Sequence, residues 1–72
     1  MKKLLKATVV VNENSNQIQI REGMNIEFMG DSSNSSLLDK DKEEICKQLE
    51  NKYNVKVNVK FFRRNMINIE KM

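Results

Sequence analysis

Cys46 is the only strongly nucleophilic side chain in this 72-residue sequence, and the sequence contains no histidine. A thiol reacts as its thiolate, which calls for a neighbouring base or a positive environment. Without histidine, the base best matched to neutral pH is missing, and so is the commonest metal ligand. Cys46 falls beside the apolar stripe of a predicted helix, with Glu43 and Glu50 at helical spacing. Its expected role is that of a buried structural thiol, and no catalytic residue is assigned.

Asp39, Asp41, Glu43 and Glu50 stand at the first, third, fifth and twelfth positions of a calcium-loop template. Glu44 takes the sixth position, where the sharp turn demands glycine, and helical periodicity from Ile45 keeps the segment from wrapping an ion. The same acids suit a helix start, where they oppose the positive end of the dipole; Asp39 or Asp41 is the expected cap, and Asp41 with Glu44 has capping-box spacing. Gly30-Asp31-Ser32-Ser33 precedes that helix as a phosphate loop would, yet it lacks the further glycines and the lysine of such a loop. Glu43 and Glu44 diverge by about 100° on a helix, so they cannot share a site. The chain is therefore expected to be no enzyme, with no metal, no cofactor and no small-molecule substrate.

The remaining signal is the placement of charge. Thirteen basic residues stand against ten acidic ones, for a net charge of +3. The first eleven residues carry three lysines and no acid, and residues 55–72 carry five basic residues against Glu70 alone. If the first and last strands are neighbours, Lys6 joins Lys56, Lys60, Arg63 and Arg64 in one patch. Phe62, opposite in phase to a buried Phe61, is then an exposed ring among cations. The expected role is contact with another protein, and a half-apolar second face of the sheet or a free edge strand suits pairing with a second copy of the chain, to give a homodimer. The alternative is nucleic acid, with phosphates on the cations and a base stacked on the ring. Methionine at five positions adds adaptable apolar surface.

These residues need elements to hold them. Ala7–Val11 is β-branched and short, Asn12–Asn16 is a cluster of turn formers, and Ile18 and Ile20 alternate with polar neighbours. The economical reading is a hairpin of two strands. Gly23 marks either a tight turn or a bulge before further strand structure to Met29. Residues 30–36 form a loop by composition. Leu38, Ile45, Leu49 and Tyr53 then lie on one stripe with Cys46 beside it, predicting a helix over about 39–52. Val55, Val57, Val59 and Phe61 alternate with Lys56, Asn58, Lys60 and Phe62, the clearest strand pattern in the chain. Arg63-Arg64-Asn65 turns back into Met66–Glu70, where Ile67 and Ile69 alternate again.

The order ββ(β)αβ(β) predicts a single α+β domain over residues 1–72, a mostly antiparallel sheet of three to five strands with one helix on one face. Val9, Val11, Ile18, Ile20, Ile26, Phe28, Val57 and Val59 are expected to meet the helix stripe in one core. The other face carries Val10, Met24, Phe62 and Met66. The order is similar to that of β-grasp domains in topology alone. A lone cysteine, no disulfide, and an N-terminal apolar run broken by Lys6 lead to the expectation of a cytoplasmic protein with no targeting signal and no membrane partner. Asparagine, lysine and isoleucine supply 26 residues. All three have AT-rich codons, which points to a low-GC bacterium or one of its phages.

Overall fold

A computed structural model describes residues 2–72; Met1, the first residue of the expected domain, lies outside the described residues. Its architecture is α+β, with one helix and five strands in antiparallel sheets. The larger sheet has three strands. β1 (Lys3–Val9) lies between β4 (Asn25–Gly30) and β5 (Ile67–Lys71). Period-two alternation turns Leu5, Ala7 and Val9 of β1, Ile26 and Phe28 of β4, and Ile67 and Ile69 of β5 onto one buried face. α1 (Asp39–Tyr53) packs there through Ile45, Cys46 and Leu49. No helix among the described residues is long and apolar enough to cross a membrane.

The first expected hairpin does not form. β1 takes its partners from distant segments, and the hairpin lies inside the turn-forming cluster instead, between β2 (Glu13–Asn14) and β3 (Gln19–Ile20). Ser15 closes it: its N–H donates to the Ile18 carbonyl at 2.8 Å, while its hydroxyl accepts from the Ile18 amide at 3.2 Å. This small sheet brings Ile18 and Ile20 into the common core.

At Gly23 the turn and the bulge are both present. The Met24 amide donates back to Arg21 at 3.2 Å, with Gly23 third in the turn at φ 99°. Val9 also donates to the Met24 carbonyl and accepts from the Gly23 amide, so two residues oppose one. A glycine with positive φ is what such a bulge requires at its first position.

The helix start differs from the expected cap. Leu38 holds the cap position with no side-chain hydrogen bond, and it is 43% exposed rather than part of the buried stripe. Asp41 turns back to the preceding loop. Its Oδ2 accepts from the Asp31 amide (3.0 Å), the Ser32 amide (2.9 Å) and the Ser32 hydroxyl (2.6 Å), while Ser32 Oγ accepts from the Leu38 amide at 2.9 Å. A carboxylate can be buried when its lone pairs are filled in this way. At the other end, Asn54 takes left-handed dihedrals (φ 55°, ψ 47°) and stops the helix where glycine is absent.

The strand expected over Val55–Phe62 is also overturned. Only Val57 pairs, opposite Ile18, and the chain then turns. Asn58 causes the turn: its Oδ1 accepts from the Lys60 amide at 3.0 Å, and its carbonyl accepts from the Phe61 amide at 3.0 Å. The turn moves the pattern by one residue. Phe62 is fully buried, and Phe61 is 49% exposed. Val11 and Val59, expected inside, are only partly covered. A 3-10 turn at Arg64–Met66 leads into β5.

Candidate contact surfaces

β1 and β5 are antiparallel neighbours, so the juxtaposition that the basic patch needed is present. The residues expected to share that patch are nevertheless distributed. Lys6 projects from the uncovered face of the sheet, with Glu27 of β4 and Glu70 of β5 as its cross-strand partners. Two carboxylates therefore flank its charge. Lys56 lies beside β3, where its carbonyl accepts from the Gln19 amide and its own amide donates to Gln19 Oε1. Lys60 sits in the Asn58 turn. Arg64 faces the loop after β4, donating from Nη1 to the Ser35 carbonyl at 2.7 Å. Phe62 is interior, so no ring at that position meets solvent.

The aromatic-and-basic pairing reappears one residue earlier. Phe61 and Arg63 line a surface hollow of about 360 Å³ together with Met66, Glu13, Ser15, Gln17 and Ile18. The Asn58 turn exposes the ring, and the 3-10 turn positions Met66 beside it. The signal for Phe61 was present in the sequence as the capacity of Asn58 to start a turn.

The uncovered face of the larger sheet is built in rows. Met29, Leu4 and Met72 stand across the three strands, with the Met72 amide donating to the Leu4 carbonyl at 3.1 Å. Beside them run Glu27, Lys6 and Glu70, and then Asn25, Thr8 and Asn68. Val10, expected on this face, is exposed, whereas Met24 and Met66 pack partly against the core. Three strands about 4.8 Å apart and five residues long offer a few hundred Å², below the roughly 800 Å² per partner of a stable interface.

Both sheet edges are partly covered. Tyr53 Oη accepts from the Asn25 amide (2.9 Å) and donates to its carbonyl (3.2 Å), and Lys52 Nζ reaches the same carbonyl at 2.8 Å. On β5, Asn34 Oδ1 accepts from the Ile69 amide at 2.7 Å, while its Nδ2 donates to Asn68 Oδ1 at 3.1 Å. Such covering removes strand edges that would otherwise recruit another chain.

Cys46 is buried, and burial pushes its thiol up from an ordinary 9.0 to about 12, with Glu50 adding to the rise and Lys42 opposing it. A protonated, enclosed sulfur is no nucleophile. The acids of the calcium template lie in helix from Asp39 onward, and no cluster that could hold a metal ion occurs among the described residues.

No family model matches the chain, and neither the curated proteins nor the solved structures contain a match to it.

Proposed function

We propose that this protein is a small, non-enzymatic, regulatory binding module that works by contact with another protein. The observation that carries this reading is the gathering of Phe61, Arg63 and Met66 around one exposed hollow. Aromatic residues, arginine and methionine are the types enriched where proteins meet, and an aromatic or arginine anchor supplies much of the binding energy. A matching surface offers an apolar side chain to Phe61 and Met66 and a carboxylate to Arg63. A second copy of the chain has that chemistry, because Glu13 and Arg63 flank the same hollow and a two-fold pairing sets each against its counterpart. A free, buried thiol fits a reducing compartment such as the cytoplasm.

Light scattering and sedimentation across a concentration series test the self-pairing. Arg63→Glu and Glu13→Lys are each expected to weaken association, and the double reversal to restore it. A monomer at every concentration removes the second copy and leaves a different protein. Capture from nuclease-treated lysate with wild type and Phe61→Ala then reads that case, since the partner must be lost with the ring.

The exposed Phe61 ring between Lys60 and Arg63 also favours a second reading, a base of single-stranded nucleic acid stacked on the ring. Glu13 in the wall opposes the phosphates such a strand brings. Oligonucleotide binding that falls steeply with salt and is lost in Phe61→Ala would put this reading first.

A further inference from the structure

Beyond Asn25 the outer edge of β4 is open. A central strand bonds one neighbour through its odd residues and the other through its even ones. In β1 the even residues serve β5: the Val10 amide donates to the Met66 carbonyl at 2.9 Å, and the Met72 amide to the Leu4 carbonyl at 3.1 Å. The odd residues serve β4, where Lys3, Leu5 and Ala7 stand opposite Gly30, Phe28 and Ile26. Asn25, Glu27 and Met29 therefore aim their amides and carbonyls away from the sheet. Tyr53 and Lys52 take up those of Asn25. The covering stops there: among the described residues, no side chain or loop bonds the backbone of Glu27 or Met29.

A hollow of about 650 Å³ runs along this edge instead, walled by Leu4, Glu27 and Met29 from the outer face of the sheet and by Lys40, Glu44 and Gln48 from α1. Its apolar wall is at the surface, with Leu4 44% and Met29 53% exposed. Glu27 and Met29 lie two residues apart, about 7 Å, the repeat at which an added strand presents its own bonding groups.

The rows of the sheet define the strand that fits. Met29, Leu4 and Met72 form an apolar row, and Glu27, Lys6 and Glu70 a row of alternating charge. Continuing both rows puts an apolar side chain beside Met29 and a lysine or arginine beside Glu27. The residue between them points toward Lys40, Glu44 and Gln48 and is polar. A second copy of β4 lacks this pattern. Its antiparallel registers set Glu27 against Asn25, Glu27, Met29 or Asp31, and none brings a cation.

We propose that the β4 edge binds an extended segment of another protein, which joins the sheet as a fourth strand antiparallel to β4. The backbones of Glu27 and Met29 hold it, an apolar side chain lies beside Met29, and a lysine or arginine lies beside Glu27. This surface shares no lining residue with the hollow at Phe61.

Amide-resolved NMR titration of the full chain with the blocked pentapeptide Thr-Val-Thr-Lys-Thr tests it. Saturable shifts and slowed hydrogen exchange are expected at the Glu27 and Met29 amides. The same peptide with glutamate in place of lysine is expected to bind about fivefold more weakly, and Glu27→Lys to reverse that preference. N-methylation of the valine and the lysine removes the two amides that face Met29 and Glu27, and is expected to abolish binding. The proposal is overturned by the absence of saturation, by equal binding of the N-methylated peptide, or by a preference for lysine that survives Glu27→Lys. Concentration-dependent shifts at Glu27 and Met29 without peptide would place a second copy on the edge and overturn it as well. Phe61→Ala is expected to leave the titration unchanged, so the two contacts stand or fall separately.

Discussion

Asp41 and Gly30 act as a pair. The Asp41 carboxylate serves three donors from Asp31 and Ser32, and a Cβ built on Gly30 would lie 2.5 Å from Asp41 Oδ2. Asp41→Ala leaves buried donors without an acceptor and is expected to cost about 3 kcal/mol in urea denaturation. Gly30→Ala is expected to destabilise by pushing the same carboxylate out of place. The double variant should therefore cost at least about 1 kcal/mol less than the sum of the singles, because the second change removes the group that the first displaces. Cys46 yields a prediction in pH. Its folded value of about 12 lies above the ordinary 9.0, so the unfolded chain releases the thiol proton first. The contribution of Cys46 to stability is full below pH 9 and is lost as pH rises toward 12. A disulfide reagent at pH 8 is expected to label Cys46 only when denaturant opens the core, and prompt labelling of the native protein would contradict this.

Single residues also set the ends of the elements. Asn54 halts α1 in a left-handed conformation, and Gly23 gives the turn before β4 its positive φ. Nothing lies within 4 Å of a Cβ at Gly23, so Gly23→Ala measures backbone strain alone, about 1–2 kcal/mol. Asn54→Gly is expected to stabilise by about 0.5 kcal/mol, since the same dihedrals cost glycine nothing sterically. Asn58 has a larger role, because its side chain both starts the turn and donates to Gln17 Oε1 at 2.9 Å. Asn58→Ala is expected to cost about 1–2 kcal/mol and to speed hydrogen exchange at the Lys60 and Phe61 amides. Unchanged protection at both amides would show that the backbone turns there without help from the side chain.

For the molecule as a whole, the two adjacent phenylalanines separate stability from contact. Phe62→Ala opens a cavity worth about 3–5 kcal/mol, comparable to the entire stability of a domain this small, and circular dichroism is expected to show an unfolded chain. Phe61→Ala should leave the melting curve within about 0.5 kcal/mol of wild type while weakening association. The α+β class, the helix limits, the lone buried thiol and the inward set Val9, Ile18, Ile20, Ile26, Phe28 and Val57 were legible in the sequence. Each follows from periodicity or local chemistry within a few residues. The sequence also contained the signals of Gly23 and Asn58, but local rules do not rank a bulge against a turn, or an Asn-led turn against four alternating apolar residues. Only the tertiary structure decided which phenylalanine faces solvent and that Lys6 lies between two glutamates. Strand pairing brings together residues more than sixty positions apart, and one residue of shift reverses every face.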